Sequence, residues 1–419
     1  MSKLVDTIAA FWTHVQQSLF PFIETTVPEP LTETLYDLIV ILEFLRVEEM
    51  LRRVEQHGQV GAPPADRAPL LRAYIAKDVL KIPTTKGLYD RLRVDGALRR
   101  LCGWEMPPLP PRPTLSGTTR TGGAVRAKRK GKRSHAKRRV PSEATFSRAF
   151  AAFAKSGVLD LVHAKRVQEY MGEQLWEHGA YDGTAISAQE HPAAKPPKPA
   201  KEPKPKGRRK KGAEPPAPPP PTRLQQQRKT ADLTTMLAEL PTKCDKGGKK
   251  NSKGDTEWWV GYKMHLLTVE RDIPVVALTT SASMHDSGAA IPLMRLARQR
   301  GVTVLYDLMD AAYDAPEIYE ESRELGHVPI IDVNSRSAAK KAEEERLARL
   351  DFSRLDVERA LVDTDRRRRF KARTAAERVN SRLKDAPANR LVRLRGHPKV
   401  HAQLMCSVLV IFAKALLCL

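Results

Sequence analysis

Apolar residues recur at threes and fours through the first quarter of the chain. Leu31, Leu35, Leu38 and Ile39 lead into Ile41 and Leu42, and Leu70, Leu71, Ile75, Val79 and Leu80 repeat the spacing. That period predicts an all-helical region over residues 1–105. Pro141-Ser142-Glu143 opens a further helix, with Ser142 as its N-cap and Phe146, Phe150 and Phe153 on one stripe. Such a stripe reads as core rather than as a base-stacking surface, and residues 167–176 continue as helix. The period then shortens. Residues 181–187 read as a strand, and the β-branched and aromatic runs 258–269 and 273–280, separated by Glu270-Arg271-Asp272, read as an antiparallel hairpin. Trp258 and Trp259 are assigned to the sheet core. A helix over 289–300, a buried strand over 302–309, a helix over 316–325 and a strand over 328–333 follow. Helices are expected over 337–350, 373–385 and 401–419.

The order of strand, two hairpin strands, helix, strand, helix, strand and late helices predicts an α/β fold. It is the order of a ribonuclease-H-like domain, a mixed sheet flanked by helices, here preceded by an all-α N-terminal region. No internal repeat is seen.

Composition changes this picture in one respect. Of 419 residues, 72 are Lys or Arg and 49 are Asp or Glu, a net charge of +23, which excludes an acidic or neutral profile. Residues 120–139 hold ten Lys/Arg and no acid, and residues 191–222 hold nine Lys/Arg, two Glu and twelve Pro. These 52 residues carry +17 of the +23. The first, within a disordered basic insert at 106–140, has the composition of a flexible polyanion-binding arm and the second that of a stiff Pro/Lys-rich linker, and either reads equally well as a solvated linker or as a nucleic-acid contact. The expected organisation is a helical region at 1–105, the insert, a helical connector at 141–177, and a catalytic domain at 178–190 and 223–419 interrupted by the linker. Cys102, Cys244, Cys406 and Cys418 form no Cys-x-x-Cys pair, which suits a reducing compartment. No secretory signal is read at the start. Residues 404–419 are apolar but interrupted by Lys414, and read as a buried helix rather than a span.

Three acids fall at telling places. Asp182 lies in the first strand, within Tyr181-Asp182-Gly183-Thr184; Asp310 lies just past the strand 302–309, where open α/β sheets hold ligands; Glu377 lies on a late helix. On that helix Phe370, Arg373, Glu377 and Lys384 are offset by 0, 3, 7 and 14 positions, which places them within a sector of roughly 60°. By itself this face suits an ordinary solvated surface with an Arg373–Glu377 pair equally well. Asp307 stands close by, but the Asp-x-x-Tyr spacing selects Asp310. His285-Asp286 reads as a loop contact rather than a metal pair, Lys263 as facing either DNA or solvent, and the run 366–369 as a phosphate contact. No Cys or His set has zinc spacing. Three carboxylates make a hard-oxygen site suited to Mg²⁺ or Mn²⁺, and two such ions stabilise the attacking and leaving oxygens of phosphodiester cleavage.

Phe370-(2)-Arg373-(3)-Glu377-(6)-Lys384 resembles the Tyr-(2)-Arg-(3)-Glu-(6)-Lys spacing of bacterial insertion-sequence transposases of the Asp-Asp-Glu type. Gly261-Tyr262-Lys263, Ser283-Met284-His285-Asp286-Ser287 and Asp310-Ala311-Ala312-Tyr313-Asp314 resemble that family's other blocks, in the same order. The resemblance implies a metal-dependent DNA transposase in which Asp182 holds both ions of a two-ion site, Asp310 one and Glu377 the other. It implies phosphate contacts from Arg373 and Lys384, a DNA contact from Lys263 and stacking from Phe370, whose missing hydroxyl departs from the family's Tyr. It further implies double-stranded DNA as partner at transposon ends and target, a homodimer on DNA, no membrane, and a bacterial, nucleoid-associated cytoplasmic location. The helical N-terminal region would recognise ends or dimerise. Only 66 residues separate Asp310 from Glu377, so no large β-rich insertion is expected there. A catalytically inactive DNA-binding descendant and a ribonuclease-H-like nuclease are the alternative readings.

Overall fold

A computed structural model of the chain describes residues 31–54, 67–107, 139–194, 220–250, 255–332 and 368–418. Nearly all of the basic insert, most of the Pro/Lys-rich linker, the helix expected over 337–350 and Arg366–Arg367 lie outside the described residues. The chain divides into two compact units, one of residues up to Arg166 with Asp385–Ala388 and His401–Leu419, the other of Val167–Lys384 with Asn389–Val400. The later turns of the last helix thus fall in the first unit.

The first unit is helical, as its period demands. It contains α1 (Glu33–Leu45), α2 (Val47–Val54), α3 (Arg67–Val79), α4 (Thr85–Val94), α5 (Gly96–Cys102), α6 (Glu143–Ser156) and most of α7 (Val158–Met171). Phe146, Phe150 and Phe153 are buried core. Phe146 meets Tyr74, Tyr89 and Trp104 with ring centroids 5.7 to 6.2 Å apart. Arg166 is fully buried, and its guanidinium donates to Glu49 at 2.6 Å.

The second unit is built on a six-stranded mixed sheet. Strand β1 (Leu175–Ser187) begins earlier than expected, so the helix predicted over 167–176 ends at Met171. Helices α8 (Arg223–Lys229) and α9 (Leu233–Ala238) precede β2 (Asp245–Lys250), β3 (Thr256–Val269) and β4 (Ile273–Ser281). Then come α10 (Ser287–Gln299), β5 (Thr303–Met309), α11 (Pro316–Glu324) and β6 (Val328–Ile331). A 3₁₀ turn (Lys371–Arg373) leads into α12 (Thr374–Asp385), followed by α13 (Pro387–Arg390) and α14 (His397–Leu417). β3 pairs antiparallel with β1 on one edge and β4 on the other, and β5 and β6 extend the sheet parallel to β1. This is a ribonuclease-H-like arrangement. The expected hairpin is the β3–β4 pair, turning through Arg271 and Asp272 at positive φ.

Trp258 corrects the sequence reading. It is 63% exposed rather than core, because its strand partner β2 covers it with only Gly248. Helix α14 is long and apolar enough to cross a membrane by length and composition, yet 72% of its most apolar window is buried inside the protein. Cys102, Cys244 and Cys406 are free and buried, and Cys418 is free and exposed.

Candidate active site

Asp182 sits midway along β1, opposite Leu266 of β3, and Asp310 caps the end of the neighbouring parallel strand β5. A single buried carboxylate braces these two strands. Asp307 is 0% exposed and accepts hydrogen bonds from Tyr181 of β1 at 2.9 Å and Ser322 of α11 at 2.6 Å, with the His327 ring nitrogen 3.0 Å away. Asp307 is thus engaged by protein groups on both of its oxygens. Asp310 accepts from the Ala312 backbone N–H at 2.9 Å, in the 3₁₀ turn that follows it.

Helix α12 is held against the sheet by apolar and charged contacts. Ala375, Ala376, Val379 and Leu383 are buried, while Arg378 and Arg382 grip Asp272 of the β3–β4 turn at 2.6 and 2.8 Å. This orientation presents Asn380 to β1, where its amide donates to Asp182 at 2.8 Å. Asn380 and Glu377 are three residues apart on one helix face. Arg373 belongs to the preceding 3₁₀ turn rather than to the α-helix, so the uniform helical arithmetic holds only from Thr374 onward. Its guanidinium bonds Glu377 at 2.7 Å and lies 5.4 Å from the Phe370 ring centroid. Lys263 is tied down, 2.7 Å from the Met284 carbonyl and 3.1 Å from Asp286. Arg369 is occupied by Glu177 and by the Tyr306 ring, 4.3 Å from its centroid.

The electrostatics are those of an anionic oxygen set with too little positive charge. Burial pushes the Asp182 carboxyl above its ordinary range, and the charge of Asp310 adds to this; Lys249, Asn380 and the Gly183 N–H oppose it. Asp310 is also raised, first by burial and then by Asp286, against the opposing Ala312 N–H, Arg373 and Lys249. Lys384 is lowered by desolvation and by Lys249, with Asp182 pulling the other way. Tyr313 is fully buried among the fields of Asp182, Asp286 and Asp310, and its hydroxyl has no hydrogen-bond partner. The Asn380 carbonyl oxygen, beside Asp182, is buried and equally orphaned. Oxygen donors, mutual repulsion and an orphaned acceptor fit a hard divalent cation, which would relieve each.

Glu377, 49% exposed, is turned to Arg373. Among the described residues, the one group of three His, Cys, Asp or Glu whose ligating atoms all lie within 4.8 Å is Glu177, His178 and Glu270; Asp182, Asp310 and Glu377 are not brought that close together. There the two imidazole nitrogens face different glutamates, Nε2 at 3.7 Å from Glu177 and Nδ1 at 3.5 Å from Glu270.

Sequence reasoning missed Asn380 and the role of Asp286, and used Tyr313 only as the marker of Asp310. Asp286 reaches the site past Gly183, where a Cβ would stand 2.4 Å from its Oδ1. Next to it His265 is fully buried, with Nδ1 3.6 Å from Asp286 and Nε2 2.9 Å from Thr280. Burial lowers its pKa to about 4, with Lys263 also lowering and Asp286 raising it. Because the folded value lies below the unfolded value of about 6.5, the unfolded chain binds more protons under acid conditions. Stability is therefore full above pH 6.5 and falls as pH drops toward 4, by on the order of 3 kcal/mol from this group. Urea titrations at pH 7 and pH 4.5 should show that loss in the wild type and a smaller one in His265→Asn.

A mixed sheet with aspartates on two adjacent strands and a helix laid across them defines a ribonuclease-H-like enzyme scaffold. Residues 177–413 match the family model described as the transposase DDE domain, and the chain belongs to that family. Its function is of the transposase type. No curated protein and no solved structure matches it.

Proposed function

We propose that the protein is a metal-dependent DNA transposase that cuts phosphodiesters at the ends of an insertion element and joins the 3′-hydroxyl ends to target DNA. The observation that carries this reading is that α12 lies against the strand of Asp182, its Asn380 bonding that carboxylate at 2.8 Å, while Asp310 caps the end of the adjacent parallel strand. Asp182, Asp310 and Glu377 would hold Mg²⁺ or Mn²⁺, two ions per site. Bound there, the ions would supply charge neutralisation at the attacking and leaving oxygens.

The chain's own residues do the rest. Asn380 and the Gly183 backbone N–H each donate to one oxygen of Asp182, at 2.8 and 2.9 Å, and so fix the carboxylate's orientation while each oxygen keeps a lone pair for a ligand. Arg373 holds Glu377 until a phosphate or cation competes for either partner, and is then free to fork onto phosphate oxygens. Lys384 adds a point charge beside Asp182. Phe370 offers a ring but no hydroxyl, and Lys263 reaches DNA only by exchanging its bond to Asp286. Double-stranded DNA, a homodimer that holds two ends together, end recognition by the helical N-terminal region and a nucleoid-associated place in a bacterial cytoplasm complete the proposal.

The test is strand cleavage of DNA carrying the element's terminal inverted repeats, in Mg²⁺ and Mn²⁺. Asp310→Asn and Glu377→Gln should each lose cleavage by roughly a thousandfold, about 4 kcal/mol of barrier, while retaining duplex affinity. Retained cleavage in either variant removes that carboxylate from the site. Cleavage of an RNA–DNA hybrid in preference to the repeat duplex identifies a nuclease instead.

A further inference from the structure

Strands β2 and β3 form an arm that continues beyond the end of β1. At its root is Gly261, with φ 149°, where a Cβ would stand 2.2 Å from the Ile186 carbonyl oxygen. Only glycine lets β3 bend there and lie this close to the strand that carries Asp182. The two tryptophans on the arm part company. Trp259 turns inward over Gly247 and donates its indole N–H to the Tyr262 carbonyl at 3.0 Å. Trp258 lies over Gly248, where a Cβ would be 2.7 Å from the ring, and is 63% exposed. Lys246 holds its ammonium 4.8 Å from the Trp258 ring centroid.

The polar groups of the arm point to an anionic occupant. Asp245 at the root is engaged by the Ser283 backbone N–H at 2.9 Å and by its hydroxyl. Glu257 stands across from Lys249 in the strand register. Lys246 is left facing the ring. An exposed indole face with a cation on it matches a nucleobase joined to its phosphate, whereas an apolar protein surface would gain nothing from the ammonium. Lys249, on the same strand, alternates to the face opposite Lys246 and Trp258, and its charge acts on Asp182 and Asp310.

We propose that the β2–β3 arm is a stacking platform for single-stranded DNA, seating an unpaired base on Trp258 and the adjoining phosphate on Lys246. The inference rests on the proposed function, since a strand cut at an element's end must leave its partner locally. Stacking on an indole tolerates any base and needs no sequence readout.

The experiment is fluorescence anisotropy of the full chain with a labelled oligothymidylate and, separately, a duplex of equal length, at fixed salt. Trp258→Leu should weaken oligothymidylate binding by roughly 5- to 100-fold and leave duplex binding within about twofold, with Trp258→Phe recovering most of the loss. Lys246→Ala should reduce the salt slope of single-strand binding by about one. Unchanged oligothymidylate affinity in Trp258→Leu overturns the proposal. So does an equal loss for both DNAs, or a loss of self-association seen by light scattering, which would assign the surface to a second copy. Cleavage by the wild type, measured in parallel, separates two failures. Unchanged oligothymidylate affinity with cleavage intact removes the arm's role alone, whereas absence of cleavage removes the proposed function on which it rests.

Discussion

Replacing Asp182 by Asn should reduce metal-dependent DNA cleavage by roughly a thousandfold or more, equivalent to about 4 kcal/mol of barrier, without weakening duplex binding. The same substitution should raise the melting temperature of the metal-free protein. Burial and the Asp310 charge hold the Asp182 carboxyl above its ordinary range, so its ionised form at neutral pH costs folding free energy that a neutral amide does not. The Asn380 donor keeps an acceptor, because the substituted side chain still offers a carbonyl oxygen to the 2.8 Å contact. A residue whose removal abolishes activity and stabilises the fold is the signature of a site assembled against electrostatic repulsion. Differential scanning calorimetry with and without Mn²⁺ checks both halves: the stabilisation conferred by the metal should shrink in the variant, and an unchanged metal response would count against Asp182 as a ligand.

Asp307→Ala should have the largest effect on stability, about 3 to 5 kcal/mol, against a typical total of 5 to 15 kcal/mol for a domain. The carboxylate is fully buried and receives Tyr181 and Ser322, with His327 at 3.0 Å. Its removal strands those polar groups without water. One of the three partners and Asp307 itself adjoin the site in sequence: Tyr181 precedes Asp182, and Asp307 lies three residues before Asp310. Loss of the brace should therefore reduce cleavage even at temperatures where the protein remains folded. Asp307→Asn keeps the shape and one acceptor oxygen, and should lose less. Urea unfolding of the three proteins ranks them, and equal midpoints would refute a bracing role for Asp307.

The elements that packing dictates could be read from the chain. Strands β1 and β3 to β6 carry β-branched and aromatic runs, and the phenylalanine stripe of α6 is buried as its spacing requires. Strand β2 could not be read, because Asp245-Lys246-Gly247-Gly248-Lys249-Lys250 has neither apolar alternation nor β-formers. It is a strand because β3 offers a partner and because two glycines leave room for two indoles. For the same reason Trp258 was misassigned, since alternation along β3 says nothing about how little β2 can cover. At the site, the acids were visible as charges within a strand, just past a strand and on a helix. Asn380 shares the Glu377 face but carries no charge to draw notice, and Asp286 meets Gly183 across a hundred residues of sequence through a side chain that is absent.

The most direct test is a crystal grown with Mn²⁺ and examined by anomalous scattering at the manganese edge. The proposed chemistry predicts manganese bonded to carboxylate oxygens of Asp182 and Asp310 at about 2.1 Å, with Glu377 released from Arg373 toward the metal. Manganese bound at Glu177, His178 and Glu270 instead, with none on Asp182 or Asp310, would contradict it.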